Sequence, residues 1–266
     1  MINPIFSKEN EKRYDGIEFL SKPSDCFMAD EWFEFAQGDH FWIQWRFDSI
    51  RKLLPSYYDW GKAFDIGCGN AVVRSQIEQY YGCTVDGCDL NLSALREALP
   101  GKGSLYFYNV HEQQECFREK FKTICLLDVL EHIKDAVGFL DSVKAHLRKD
   151  GRVIINVPAF QFFYSAYDEV QGHVKRYNFS LLQEELQAAG FIIEKGMYWG
   201  MSMVPIIFLR KFIVKFIPKK KIMSVGFQPQ NLFINFIFQS LRRLECAIFT
   251  RVPFGTSLMV IARKQK

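Results

Sequence analysis

Between residues 62 and 157 the chain alternates short apolar runs with longer amphipathic stretches. Lys62–Ile66, Thr84–Cys88, Ser104–Tyr108, Thr123–Leu127 and Arg152–Val157 have strand length and are bounded by turn residues such as Asp150-Gly151. The spacing predicts helices over 70–81, 91–98 and 131–148. Strands separated by single helices make βαβ units, whose right-handed crossovers lay the strands parallel in one sheet. A polar, aromatic loop (158–178) follows, then a helix that Ser180 is placed to cap and Gly190 to close. Phe191–Glu194 and Ser257–Ala262 are two further strands. Residues 1–60 show no two-residue alternation; Glu31–Leu54 reads as helix, stopped by Pro55. The expected organisation is a helical lead-in or lid over 1–60, an α/β core over 61–196 and 256–266, and an apolar helical insertion over 197–255.

Composition changes this picture little. Hydrophobic residues at 48% and charged residues at 24% are ordinary for a globular chain and exclude disorder. Aromatic content of 16% suits a dense core, an apolar substrate or a lipid interface. A net charge of +4 gives no global basic field, so no nucleic-acid partner is expected. Seven cysteines form no CxxC pair and no zinc spacing, and Met1-Ile2-Asn3-Pro4 carries no charged region before an apolar core. Reduced thiols and a cytoplasmic location, at most at a membrane surface, are the expectation.

The strongest chemical signal is Ala63-Phe64-Asp65-Ile66-Gly67-Cys68-Gly69-Asn70. Gly67 and Gly69 allow a tight turn and close approach of a ligand at the carboxyl end of the first core strand. A dinucleotide fingerprint wants a third glycine or alanine where Val72 stands. Asp65 would repel phosphates and suits a cofactor carrying an ammonium group. Asp89, in Gly87-Cys88-Asp89-Leu90, is the acid expected on a ribose diol. Asn109, in Tyr108-Asn109-Val110, is placed to meet an adenine edge. An acid and two glycines also make a plain helix-capping turn, but the joint spacing with Asp89 argues for a nucleoside-bearing ligand.

These residues resemble class I S-adenosylmethionine-dependent methyltransferases over about residues 40–263, through AFDIGCGN, GCDLNLSAL, ICLLDVLEHIKD and LRKDGRVIINVP. The resemblance implies a Rossmann-like, seven-stranded, mostly parallel sheet whose last strand, here SLMVIARK, is antiparallel. It implies S-adenosylmethionine held by Asp65, Gly67, Cys68, Gly69, Asp89, Leu90, Asn109, Val110 and Leu127. The segment LLDVLEHI is most similar to the branch with ubiquinone-biosynthesis O-methyltransferases and small-RNA 2′-O-methyltransferases. There an arginine upstream of the glycine loop meets the cofactor carboxylate, and Arg46 stands at that place. Asn109 departs from the aspartate frequent in the family.

Methyl transfer to a hydroxyl needs alignment and removal of a proton. Asp128, Glu131 and His132 share one face if a helix starts at the end of the fourth core strand. Such a set suits a general base, or a divalent metal such as Mg²⁺ or Mn²⁺. In the related metal-dependent branches a further histidine comes from the loop after the fifth strand, where His173 stands. His132 or His173 as base, a metal, and Asp128 as a plain N-cap all stay open. Asp168, Lys175 and Arg176 are placed to frame the acceptor.

Residues 197–217 are apolar but interrupted by Arg210, Lys211 and Lys215, so a spanning helix of about 20 apolar residues is not expected. Helices packed on the sheet, pairing in a homodimer, or lying at a membrane surface with Lys219–Lys221 at their edge all fit. The expected activity is O-methylation of a small-molecule, sugar or lipid-linked acceptor. The alternative is a non-catalytic cofactor-binding or membrane-associated scaffold.

Overall fold

The computed structural model describes residues 13, 14, 16–22, 38–218, 222 and 232–265. Among them, nine strands form one sheet: β1 (Arg13–Tyr14), β2 (Ile17–Phe19), β3 (Ala63–Ile66), β4 (Val85–Asp89), β5 (Leu105–Phe107), β6 (Phe121–Leu127), β7 (Leu147–Pro158), β8 (Phe191–Trp199) and β9 (Ser257–Lys264). Their spatial order is β1-β2-β5-β4-β3-β6-β7-β9-β8. Strands β2 to β7 pair in parallel, whereas β9 runs antiparallel between β7 and β8. All four residues of β3 are buried, as a parallel strand covered on both faces requires.

The seven expected strands are present, and the mostly parallel Rossmann-like sheet with an antiparallel last strand is the observed fold. The difference is at the N-terminus, where β1 and β2 add a short hairpin on the β5 edge. Strands of two and three residues are too short to show alternation. Burial of Ile17 and stacking of Phe19 on Phe107, with centroids 5.4 Å apart, anchor them.

The helices are α1 (Phe41–Leu53), α2 (Val72–Tyr81), α3 (Leu92–Arg96), α4 (Ala136–His146), α5 (Ala166–Val170), α6 (Phe179–Ala188), α7 (Val204–Ile213) and α8 (Leu232–Ile248). The pleat of β6 divides the core between two faces. Ile124 and Leu126 join Phe64, Leu140 and Leu182 on one side, and Cys125 and Leu127 join Trp45, Ile77 and Met259 on the other. Helix α6 is capped two residues before the expected position. Asn178, an equally good capping residue, accepts from the Leu181 N–H, while Gly190 closes the segment at φ +79° as expected.

The apolar insertion packs partly on the lead-in helix. Phe238 of α8 meets Phe41 of α1 with centroids 4.7 Å apart, Arg242 pairs with Asp48, and buried Glu245 accepts from the Gly200 and Ser202 N–H groups, both at 2.8 Å. Lys219–Lys221, and residues 31–37 of the expected first helix, lie outside the described residues. Among the described residues no helix is long and apolar enough to cross a membrane.

Strands β4 and β5 lie to one side of β3, and β6 and β7 to the other. The loops after β3 and β6 therefore diverge, and open α/β sheets bind ligands in the crevice this creates.

Candidate active site

The crevice is an open cleft lined by residues of α1, the glycine loop, the turn after β6, the loop after β7 and α7. The glycine loop forms one wall. Gly67 has φ +73°, and a Cβ there would lie 2.5 Å from Val129 Cγ2, so the loop after β3 can nest against the turn after β6 only with glycine. Asp89 accepts the Gly69 N–H at 2.7 Å and the Asn91 N–H at 2.8 Å. It thereby ties the end of β4 to the loop, and burial raises its pKa. Cys68 lines the cleft as a protonated thiol, its pKa pushed well up by burial.

A polar chain crosses the floor. Arg46 of α1 donates through Nη1 to Asp128, Asn156 of β7 donates through Nδ2 to the same carboxylate, and Trp199 donates through Nε1 to Asn156 Oδ1 at 2.8 Å. Arg46 Nε is buried with no hydrogen-bond partner among the described residues, although the side chain lines the cleft.

The catalytic candidates sit beyond this chain. Asp128 has φ +61°, and the chain then makes a short 3₁₀ turn, Leu130–His132, instead of starting an α-helix. The expected convergence of Asp128 with Glu131 and His132 is therefore corrected. Asp128 is turned to Arg46 and Asn156, and it is not a helix N-cap. His173 joins Glu131 and His132 instead: nitrogens of the two histidines and a Glu131 oxygen lie within 4.8 Å of one another.

The loop after β7 fixes His173 tightly. Its N–H donates to Asp168 O at 2.9 Å, its carbonyl accepts from Tyr164 Oη at 2.8 Å, and Nδ1 lies 3.0 Å from Asp168 Oδ1. Asp168 is buried in a capping box with Ser165 at the start of α5, and Arg176 Nε donates to it at 2.7 Å. Burial alone would raise this carboxyl, but the hydrogen bond from His173 and the Arg176 charge outweigh it and hold Asp168 down at about 2. An ionised Asp168 makes Nδ1 the donor, leaving Nε2 as the acceptor, 4.0 Å from Glu131 Oε1. Burial, reinforced by the neighbouring His173 ring, lowers His132 to about 4 and keeps it neutral near pH 7. Burial and then the Asp128 charge raise the Glu131 pKa well above the ordinary range, and its Oε2 has no hydrogen-bond partner among the described residues.

Of the sequence-derived candidates, Arg46, Gly67, Cys68, Gly69, Asp89, Leu127, Asp128, His132 and His173 line the cleft. Asp65, Leu90, Asn109 and Val110 do not. Asp65 is buried beneath the loop, where loss of water raises it to about 7. Asn109 Oδ1 caps a turn by accepting the His111 N–H, its own N–H donates to Ser21 Oγ, and Val110 is in the core. Asn156, Gln171 and Arg210 were not singled out from the sequence. A lone amide inside the apolar run Ile154-Ile155-Asn156-Val157 was the available signal for the first.

Comparison with known proteins bears on the family and the fold. Residues 38–195 match a family model described as a methyltransferase domain. A ubiquinone biosynthesis O-methyltransferase of Actinobacillus pleuropneumoniae serotype 5b is 32% identical over 116 residues, which are 40% of this chain and 49% of that protein. The match thus spans about half the length of the curated relative. A SAM-dependent methyltransferase from Archaeoglobus fulgidus shares the fold with TM-score 0.54 at 15% identity, covering 88% of this chain and 100% of that one. Haemonchus contortus phosphoethanolamine N-methyltransferase 2, in complex with S-adenosyl-L-methionine, gives 0.53 at 18% identity, covering 84% and 53%.

Proposed function

Because the chain belongs to the class I methyltransferases that use S-adenosylmethionine, we propose that it methylates a hydroxyl oxygen of a small-molecule, sugar or lipid-linked acceptor, with His173 as the proton acceptor. The observation that carries this reading is the Asp168–His173 pair, whose geometry leaves Nε2 as the basic nitrogen among the cleft-lining groups. In the proposed step, the acceptor O–H would give its proton to Nε2 as its oxygen takes the methyl group, the methyl–sulfur bond breaking to leave S-adenosylhomocysteine as a neutral thioether. The ionised Asp168 stabilises the resulting imidazolium. S-adenosylmethionine supplies the methyl group on a sulfonium. Arg46, Gly67, Cys68, Gly69, Asp89 and Leu127 would hold it, and the orphaned Arg46 Nε, ready for an anionic partner, fits its carboxylate.

A second reading places a divalent cation on Glu131, His132 and His173. In its favour, Glu131 Oε2 lacks a hydrogen-bond partner among the described residues, and Asp168 backs His173 as carboxylates commonly back metal-binding histidines. The donors, up to 4.8 Å apart, must draw closer, because ligands about 2.1 Å from one ion are at most about 4.2 Å apart. Such a cation would lower the pKa of an acceptor hydroxyl.

The exposed apolar faces of α7 and α8 support peripheral contact with an anionic membrane surface, since residues 195–244 carry nine Lys or Arg and no Asp or Glu.

Calorimetry with S-adenosylhomocysteine and transfer of labelled methyl into cell extracts test the enzyme reading. The wild type should bind and transfer, and His173→Gln should keep its affinity within about twofold while losing transfer on the order of 100-fold. Undiminished transfer by His173→Gln would remove the base. Binding without transfer to any acceptor would favour the scaffold alternative. Transfer abolished by chelation and restored by Mg²⁺ or Mn²⁺ would select the metal reading.

A further inference from the structure

The polar chain on the cleft floor has a direction, and it is set at the buried end. An indole N–H only donates, so Trp199 Nε1, at 2.8 Å from Asn156 Oδ1, decides which way the Asn156 amide faces. The amide oxygen is taken by the indole, and the NH2 group is left to donate to Asp128 Oδ1. Arg46 Nη1 holds the other carboxylate oxygen, Oδ2. Without the indole donor the amide would be free to turn over and set its own oxygen against the carboxylate, which is a repulsive contact.

Asp128 depends on this support. Its φ of +61° is uncommon for a residue with a side chain and persists where neighbours over-determine it. Asn156 does so twice, since its carbonyl accepts the Asp128 N–H at 2.9 Å and its amide holds the side chain. Neither Asn156 nor Trp199 lines the cleft, whereas Arg46 and Asp128 do. Both are fully buried, Asn156 in β7 and Trp199 as the last residue of β8. For stability alone such a buried pair is dispensable, because replacing both partners by apolar groups of similar shape is close to neutral. Its effect is on where the next group points. The Trp199 ring also packs against Trp42 and Trp45, which flank Arg46 on α1, with centroids 4.5 and 6.0 Å apart.

We propose that Asn156 and Trp199 are positioning residues for cofactor binding: through Asp128 they hold the Arg46 guanidinium in the orientation that meets the carboxylate of S-adenosylmethionine. The assignment rests on the reading above that Arg46 takes that carboxylate. A guanidinium aligned in advance loses less freedom when its anion arrives, so more of the contact appears as affinity. The alignment is decided where the apolar insertion leaves the sheet, because the N–H groups of Gly200 and Ser202, just after Trp199, both donate to Glu245 of α8.

The test is calorimetry on the full chain with S-adenosylhomocysteine, which carries the carboxylate, and 5′-methylthioadenosine, which lacks the amino-acid portion. The variants are Arg46→Met, Trp199→Phe (a ring without the N–H), Asn156→Leu (similar volume without the amide) and the Arg46→Met, Trp199→Phe double variant, with thermal unfolding as a check of folding. Arg46→Met should weaken S-adenosylhomocysteine about tenfold, as loss of a charge-assisted contact does. Trp199→Phe and Asn156→Leu should each weaken it about threefold or more, the scale of one hydrogen bond, and leave 5′-methylthioadenosine within about twofold of the wild type. The double variant should bind S-adenosylhomocysteine no more weakly than Arg46→Met alone, because Trp199 acts through Arg46. Either single variant that folds suffices, since each breaks the same chain. Unchanged S-adenosylhomocysteine affinity in Trp199→Phe and Asn156→Leu, equal weakening of both ligands, or additive losses in the double variant would overturn the proposal and leave Arg46 in its role. Unchanged affinity in Arg46→Met would instead remove Arg46 from the carboxylate, and the positioning role with it. No binding of S-adenosylhomocysteine by the wild type would sink the cofactor reading itself.

Discussion

His132 is a base that acid charges more readily in the unfolded chain than inside the protein. Burial holds its folded pKa near 4, below the usual histidine value near 6.5. Between those values the unfolded chain binds the extra proton, so this residue's contribution to stability falls as pH falls. At 1.36 kcal/mol per unit, the loss from pH 6.5 to 4 is about 3 kcal/mol. His132→Gln removes it. Urea unfolding of metal-free protein at pH 7 and pH 4 should show the wild type losing about 3 kcal/mol relative to His132→Gln. Parallel pH profiles would mean that the ring is solvated. Residue identities around the cleft were legible in the sequence because D-x-x-E-H and the glycine loop are local spacings. Their orientations were not. The left-handed backbone at Asp128 turns that carboxylate to Arg46, 82 positions away, and no short-range pattern encodes that meeting.

At the scale of elements, one carboxylate serves three structures. Asp168 closes the capping box of α5, fixes the tautomer of His173 and neutralises Arg176. Asp168→Asn keeps the shape and most of the cap but removes the charge, leaving Arg176 buried beside a neutral amide. Breaking a buried pair in this way costs about 3–5 kcal/mol, to be read by denaturant unfolding. Transfer should fall on the order of 100-fold as the imidazolium loses its partner, while S-adenosylhomocysteine affinity stays within about twofold. A variant as stable and active as the wild type would show that Asp168 is solvated or protonated. The core strands were readable because each is an apolar run bounded by turn residues, and β3 and β6 are buried along almost their whole length. Helix α7 was readable as a helix, but not in its rotation. Its apolar residues surround the axis, so no stripe in the sequence tells that Arg210 faces inward.

Across the whole molecule, charge is distributed more sharply than the net value of +4 suggests. Residues 195–244 hold nine cations and no acid, whereas the rest of the chain holds 25 cations and 30 acids, a net charge of −5. On the same segment, Phe208, Leu209, Phe212, Phe216, Phe236 and Leu244 are exposed, Phe216 at 87%. A monomer in water seldom leaves so many large apolar side chains uncovered, and cations around them favour an anionic bilayer over a second copy of an equally cationic face. Co-sedimentation should therefore show binding to vesicles containing phosphatidylserine and weak binding to neutral phosphatidylcholine vesicles, with the difference reduced by salt. Lys215→Glu reverses one exposed charge beside Phe212 and should weaken vesicle binding by about 2 kcal/mol, at about 1 kcal/mol per cation removed and a similar penalty for the acid introduced. Phe212→Ser together with Phe216→Ser should weaken binding to both vesicle types, because the lost area is apolar. Light scattering separates the competing outcome. A concentration-dependent dimer that loses its vesicle affinity as it forms would assign these faces to self-association, and salt would then strengthen the contact instead of weakening it.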